Sequence, residues 1–242
     1  MGDVACRAAR RRRGALGWGV PERVALAAMA KAPIAGAVKT RLCPPLRPAQ
    51  AAELARCLLQ DRVEQLGAVP GGDRLVAFTP PEHEAAVRAL VPPDVRLMPQ
   101  QGADLGARMS GLLTALLAEG YAGALVVGTD TPTLPTACLA EAAVALGRGA
   151  ADVVLGPSED GGYYLIGLTR PAPMLFVDMP WSTATVGEET LRRARAGGGR
   201  VLVLPTWFDV DRIEDLARLR EDPGKDAYRP RRTLAYLERL AF

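Results

Sequence analysis

The sequence has little of the chemistry on which many enzymes depend. It has one histidine, His83, among 242 residues, and its four cysteines are scattered without a CxxC pair. A Ser-His-Asp triad, a Cys-His pair and a structural zinc site are therefore poorly supplied. The apolar runs end well short of the roughly 20 residues that a bilayer-spanning helix needs, so we expect no membrane segment. Any chemistry must rely on carboxylates, basic side chains, backbone amides and a bound metal ion.

Composition is that of an ordinary globular chain, except at the amino terminus. Hydrophobic residues make up 49% and charged residues 24%, which excludes a fibrous or largely disordered protein. The formal net charge is +3, but residues 1–20 hold five arginines against a single acid. A nucleic-acid-binding domain carries its basic patch on the folded body, so we expect no nucleic-acid partner. Residues 1–20 are interpreted as a disordered basic extension, with an electrostatic arm as the alternative.

The remaining sequence, residues 21–242, predicts one α/β domain. Segments with helical spacing follow one another with short apolar runs between them. These runs are continuously hydrophobic, without polar residues at every second position, as burial on both faces of a sheet requires. We therefore expect a mostly parallel sheet between two helical layers. No apolar segment follows the early arginines to form a secretory signal, so we expect a cytoplasmic protein. The strands are expected at Val24–Ala30, Arg74–Phe78, Val95–Met98, Ala124–Gly128, Asp152–Leu155, Tyr163–Leu168 and Val201–Leu204.

A cation-rich loop, KAPIAGAVKTRL, follows the first strand. Its candidate nucleotide-binding residues are Lys31, Gly36, Lys39 and Arg41. Ligands collect at the carboxyl ends of strands in open α/β sheets, and a polyphosphate needs cations and closely approaching backbone amides. The loop lacks the GxxxxGK[ST] pattern, so it is not a Walker motif. A solvated basic loop is the alternative interpretation.

Acidic residues stand at two other strand ends. Asp130 ends the apolar run ALVVG, and Asp209 and Asp211 lie in the segment FDVD. Alternation along an extended segment places both later aspartates on one face. Mg²⁺ or Mn²⁺ takes one or two carboxylates and leaves its other positions for water and phosphate, so these three are the predicted metal ligands. A turn residue at Asp130 and a helix cap at Asp211 are the simpler alternatives.

Two glycine-rich loops complete the predicted site. The first could hold a base or a sugar of the nucleotide by main-chain contacts, and it contains Gly102, Asp104 and Gly106. The second is a candidate substrate-binding loop, with a hairpin turn as the simpler interpretation, and it contains Glu159, Asp160, Gly161, Gly162 and Tyr163. Trp181 is expected mainly to fill the core, and closing over a substrate is its alternative role.

Several motifs together resemble the bacterial DUF2064 family. They are KAPIAGAVKTRL, QGADLGARM, VVGTDTPTL, LGPSEDGGYYLIGL and WST, and the likeness covers roughly residues 24–220. This resemblance implies a Rossmann-like glycosyltransferase-A fold of the nucleotide-diphospho-sugar transferase type. The chain resembles more distantly the phospholactate and phosphoenolpyruvate guanylyltransferases, through Lys39–Leu42, Asp130 and the closing D-x-D-x-x-x-D-L. It departs from those enzymes at Asp160–Tyr164, which leaves the acceptor open.

Three functions remain possible at this point. In the first, an oxyanion attacks the α-phosphorus of a nucleoside triphosphate, with Lys39 and Arg41 stabilising the leaving pyrophosphate and Asp130 holding the metal ion. The second is a glycosyltransferase that uses a nucleotide-sugar, with Asp160 or Glu159 as base. The third is nucleotide binding without turnover. The cation-rich loop favours the first, with a small phosphate- or phosphonate-bearing acceptor, and the sequence leaves a monomer or a homodimer open.

Overall fold

A computed structural model describes residues 23–221 and 227–240, so the predicted extension at 1–20 lies outside the described residues. Seven strands form one sheet in the order β3-β2-β1-β4-β6-β5-β7. They are β1 (Val24–Lys31), β2 (Gly72–Thr79), β3 (Arg96–Pro99), β4 (Gly123–Gly128), β5 (Val153–Pro157), β6 (Tyr163–Leu168) and β7 (Val201–Val203).

The sheet is mostly parallel, as the sequence predicts. β1 pairs in parallel with β2 and β4, β2 with β3, and β5 with β7. Within the described ranges, β6 alone runs antiparallel to its neighbours, β4 and β5, because the turn at 158–162 reverses the chain directly after β5. Along β1, the side chains from Val24 to Ala28 are all buried, so both faces of the sheet are covered.

Helices cover the two faces and give the expected three layers. The helices are α1 (Pro48–Gly67), α2 (Glu84–Arg88), α3 (Leu105–Ala118), α4 (Thr136–Gly147), α5 (Val186–Ala196), α6 (Ile213–Glu221) and α7 (Arg231–Leu237). One core cluster packs α1 and α4 against the sheet, and a second packs α3 and α5 against the opposite face. A 3₁₀ turn at Pro81–His83 precedes the short α2. No helix in the described ranges is long and apolar enough to cross a membrane.

A third apolar cluster joins the loop after β1 to the segment before α6. Leu42, the last residue of that loop, belongs to the same buried cluster as Phe208 and Val210. The alternation predicted for FDVD is present, because Phe208 and Val210 face this cluster while Asp209 and Asp211 face a cleft. Packing between distant segments therefore brings the cationic loop close to the two aspartates.

Candidate active site

The carboxyl ends of β1 and β4 open into a cleft with two lobes. The cationic lobe, about 450 Å³, is lined by Lys31, Lys39, Arg41 and Arg108 together with Asp130 and Asp211. The anionic lobe, about 440 Å³, is lined by Asp130, Asp160, Asp209 and Asp211 together with Arg41, Tyr163 and Trp181. Asp130, Asp211 and Arg41 belong to both lobes, so they mark the point where the two lobes meet.

Lys39 lies between the two shared carboxylates. Its Nζ is 2.9 Å from Asp130 Oδ1 and 3.0 Å from Asp211 Oδ1, and it donates to the carbonyl of Val210 at 2.6 Å. The side chain is only 8% exposed. Burial alone would lower the pKa of Lys39, but the charges of Asp130 and Asp211 outweigh burial and raise it. Lys39 is therefore a protonated counter-ion of both carboxylates.

This contact shows that Asp130 and Asp211 meet. Both carboxylates lie about 3 Å from one nitrogen, so the two oxygens are at most about 6 Å apart. Asp209 lines the anionic lobe beside them. Burial raises the pKa of Asp209 to about 7, and the negative charges of Asp130, Asp160 and Asp211 add to the rise. A hydrogen bond from Ser158 opposes it. The described ranges contain no group of three or more His, Cys, Asp or Glu side chains arranged to hold a metal ion.

A buried polar network holds the loop that carries Asp130. Val210 N donates to the carbonyl of Asp130 at 2.7 Å. From α1, Arg62 Nη2 donates to the carbonyl and the hydroxyl of Thr131 at 2.6 and 2.8 Å, and Gln65 donates to the carbonyl of Leu134 at 2.6 Å. Arg62 is 2% exposed, and burial lowers its pKa to about 10, opposed chiefly by Asp130. Sequence reasoning missed this network, although a charged residue on an apolar helix face was a visible signal.

The other residues of the cation-rich loop differ in exposure and position. Arg41 lines both lobes, is 72% exposed, and its Nη1 lies 3.6 Å from Asp211 Oδ2. Lys31 lies exposed at the cationic lobe. Gly36 has a φ of +79° and forms a turn, while the neighbouring Ala37 and Val38 line the lobe. The loop therefore contributes both cations and two small apolar residues to the lining of this cavity.

The loop before α3 contains the residues Gly102, Asp104 and Gly106, which the sequence predicts to bind the nucleotide, but these residues lie outside both lobes. Asp104 caps α3 by accepting a hydrogen bond from Ala107 N at 2.8 Å. A Cβ on Gly106 would lie 2.6 Å from Trp181, and one on Gly102 would lie 2.8 Å from Arg108 N. None of the three lines either lobe. The residues of this region that line the cationic lobe are Gln100, Leu105 and Arg108, which sequence reasoning did not select.

The loop between β5 and β6 divides into two parts. Asp160, Gly162 and Tyr163 line the anionic lobe. Glu159 instead pairs with Arg218 at 2.6 Å and lines neither lobe. Gly161, at a φ of +88°, is required there, because a Cβ would lie 2.0 Å from the carbonyl oxygen of Ala184.

Trp181 does more than fill the core. It packs against Gly106 and its ring lies edge-on to Tyr163, with a centroid separation of 6.5 Å. It also lines the anionic lobe, together with Met109 and Ile166. This lobe therefore combines an apolar, partly aromatic wall with carboxylates.

Comparisons with known proteins agree with this architecture. The family described as an uncharacterized protein conserved in bacteria, DUF2064, matches residues 62–183. No functionally curated protein is significantly similar in sequence. Among solved structures, the chain is similar to a provisionally named nucleotide-diphospho-sugar transferase from Desulfovibrio desulfuricans G20. The identity is 30% and the TM-score 0.83, over 90% of this chain and 94% of that one.

Two further structures share the fold at low sequence identity. A CMP:2-keto-3-deoxy-manno-octonic acid synthetase complexed with CTP is 14% identical, with a TM-score of 0.54 over 82% of this chain and 97% of the other. A nucleotidyl transferase from Methanothermobacter thermautotroptrophicus is 16% identical, with a TM-score of 0.52 over 82% and 96%. The fold implied by the sequence resemblance is thereby confirmed.

Proposed function

This chain belongs to the DUF2064 family, and from the geometry of its cleft we propose that it is a nucleotidyltransferase. It moves a nucleoside monophosphate from a nucleoside triphosphate to a small phosphate- or phosphonate-bearing acceptor, and pyrophosphate leaves. Proteins of this fold include nucleotidyl and nucleotide-sugar transferases, which supports a transferase of that general kind. The observation that carries the proposal is the junction of a cationic and an anionic lobe at Asp130 and Asp211.

The cationic lobe suits a triphosphate. Lys31, Lys39, Arg41 and Arg108 line it, together with Ala37 and Val38. Phosphoryl chemistry of this kind needs positioning and charge neutralisation more than covalent help from the protein. We assign Lys39 and Arg41 to the charge that develops on the leaving pyrophosphate, and Lys31 and Arg108 to binding the nucleotide.

The shared carboxylates suit a divalent cation. The ammonium of Lys39 lies between Asp130 and Asp211, so this point already holds a cation, and hard carboxylate oxygens are preferred by Mg²⁺ and Mn²⁺. We assign Asp130 and Asp211 as its ligands, with Asp209 beside them. When bound, such an ion supplies Lewis-acid polarisation of the α-phosphate. Because Lys39 shares both carboxylates, its ammonium competes with the ion for them.

A nucleotide-sugar donor is the second candidate. Its support is the aromatic wall at Tyr163 and Trp181 beside Asp160, a combination that also suits a sugar ring. The provisional name of the 30% identical relative supports it too. In that reaction Asp160 is the better base, because Glu159 is paired with Arg218 away from both lobes.

One assay separates these functions. The full chain with Mg²⁺ is given each nucleoside triphosphate and a panel of small phospho-acids, and pyrophosphate is measured. In parallel, nucleotide-sugars are offered and released nucleoside diphosphate is measured. We expect pyrophosphate release that Asp130→Asn abolishes and Glu159→Gln retains. Diphosphate release without pyrophosphate would establish the sugar donor, and nucleotide binding without either product would indicate a binding protein.

A further inference from the structure

The two lobes differ in charge in a way that bears on the acceptor. Four carboxylates line the anionic lobe, and Arg41 is the one basic side chain among the described residues that line it. The cationic lobe has four basic side chains and only the two shared carboxylates. A compound with two anionic groups therefore finds its cations in the cationic lobe, which the nucleotide phosphates occupy in the proposed reaction.

Two carboxylates of the anionic lobe form no ion pair with any residue that the structure describes. Asp130 and Asp211 are both paired with Lys39, and Asp211 also lies near Arg41, whereas Asp160 and Asp209 have no salt-bridge partner in the part of the chain that the structure describes. Asp160 Oδ1 accepts a hydrogen bond from Gly162 N at 2.9 Å, and Asp209 is hydrogen-bonded to Ser158. The neutral donor at Asp160 leaves its negative charge uncompensated, and such a charge in a cleft favours a positively charged ligand. A bound cation would also favour the ionised form of the neighbouring Asp209.

The wall beside these carboxylates also suits a cation. Trp181 and Tyr163 form an edge-on pair, and Met109 and Ile166 extend the apolar surface. Aromatic faces attract ammonium groups, and the attraction is stronger where water is partly excluded. An apolar wall without carboxylates would suit a hydrocarbon, and carboxylates without the wall would suit a hydrated metal ion. Their combination in one small cavity is typical of an ammonium site.

On the basis of the proposed nucleotidyl transfer, we propose that the acceptor is zwitterionic. Its phosphate or phosphonate lies at Arg41, where the lobes meet, and its ammonium group lies in the anionic lobe against Asp160, Asp209 and the Trp181 wall. An acceptor oxygen, already deprotonated, forms the new bond to the α-phosphorus. The bond from that phosphorus to the bridging oxygen of the β-phosphate breaks, and pyrophosphate leaves with the electron pair. No further reactant is needed.

The test is a series of acceptors that differ in the charge of one group. Phosphoethanolamine carries an ammonium, propyl phosphate a methyl group and phosphoglycolate a carboxylate at comparable size. With saturating Mg²⁺ and the preferred nucleoside triphosphate, kcat/KM is measured for each by pyrophosphate release. We expect ammonium above methyl above carboxylate, with at least about tenfold between the two ends, since one unscreened charge contact is worth that much.

Two neighbouring acids provide a matched pair of variants. Asp160→Asn should reduce the ratio between phosphoethanolamine and phosphoglycolate at least threefold, mainly through the acceptor KM. Glu159→Gln, one residue away but paired with Arg218 outside the lobe, should keep the wild-type ratio. A wild-type preference for phosphoglycolate, or an unchanged ratio in Asp160→Asn, would overturn the assignment.

Equilibrium binding separates this inference from the proposed function. The same three compounds are titrated by calorimetry in the presence of Mg²⁺ and a non-hydrolysable nucleoside triphosphate. If binding follows the order given above but no acceptor yields pyrophosphate, the charge preference of the lobe stands and nucleotidyl transfer is wrong. If pyrophosphate forms with the carboxylate compound as readily as with the amine, nucleotidyl transfer stands and the zwitterionic acceptor is wrong.

Discussion

The two lobes of the cleft are assembled in different ways. The cationic lobe takes three of its four cations, Lys31, Lys39 and Arg41, from one loop of twelve residues. The anionic lobe draws its carboxylates from three loops that lie between residues 130 and 211. A contiguous loop is visible in sequence, whereas a site made from distant loops depends on strand order. The two sets of charges meet because β1 and β4 are neighbours in the sheet and because Leu42 packs with Phe208 and Val210 in one apolar cluster.

Lys39 and Arg41 show the same contrast within one loop. Lys39 is almost fully buried between two carboxylates, while Arg41 is largely exposed and lies at the opening of both lobes. A buried, doubly paired ammonium is fixed in place, and an exposed guanidinium is free to follow a ligand. We infer that Lys39 balances part of the negative charge of Asp130 and Asp211, and that Arg41 contacts the bound substrates.

The largest expected effect is at the junction itself. Asp130→Asn should lower kcat by about 10³-fold, because one carboxylate is lost from the proposed metal site and from the Lys39 pair together. Steady-state kinetics with circular dichroism as a folding control measures it. Activity within tenfold of wild type in a folded variant would mean that the lobes do not meet at a catalytic centre.

The second prediction separates the two cations of the loop. Lys39→Met should lower kcat by about 10²-fold and also lower the Mg²⁺ concentration needed for half-maximal activity, since Asp130 and Asp211 lose a competing cation. Arg41→Met should raise substrate KM with little change in the Mg²⁺ requirement, because its contact with Asp211 is long and exposed. Equal Mg²⁺ requirements in both variants would contradict the different roles.

The third prediction concerns the hydrogen bonds by which Arg62 of α1 holds the loop that carries Asp130. Arg62→Met should lower the free energy of unfolding by about 2–3 kcal/mol, because the buried carbonyl and hydroxyl of Thr131 both lose their charged donor and the carbonyl keeps only Leu134 N. Urea denaturation measures the loss, and Arg62→Lys, which keeps a charge and one donor, should recover part of it. A variant as stable as wild type would show that the Asp130 loop holds its shape without α1.

Much of the fold and part of the site could be predicted from local patterns. Solid apolar strands predict burial on both faces, and the pattern is confirmed in β1 and β4. The meeting of the cation-rich loop with Asp130 follows from one rule, that ligands collect at the carboxyl ends of strands. Alternation in FDVD was enough to place Asp209 and Asp211 on one side.

Other features depend on packing that the sequence does not display. Glycines that make room for a neighbouring side chain, such as Gly106 under Trp181, resemble glycines that admit a ligand. Glu159 and Asp160 are adjacent acids, but the turn places Glu159 against Arg218 and Asp160 in the cleft, which the sequence alone does not indicate. Arg62 lies on the buried face of α1, and its partner Thr131 is 69 residues away in the sequence. No local pattern links the two residues, so this hydrogen bond could not be predicted.

The smallest expected effect is at an ion pair remote from both lobes. Asp152 accepts hydrogen bonds from Arg200 N and Nη2 at 2.8 and 3.0 Å and ties the start of β5 to β7, and these bonds lower the pKa of Asp152 to about 2. The stabilisation is present above the ordinary carboxyl pKa of 3.8 and is lost as the pH falls toward 2. Asp152→Asn should therefore melt roughly 1–3 °C below wild type at pH 7, with a gap that narrows below pH 4. The kcat and the acceptor preference of this variant should match wild type, because neither Asp152 nor Arg200 lines a lobe. A change in either quantity would mean that charges outside the two lobes also act on the reaction.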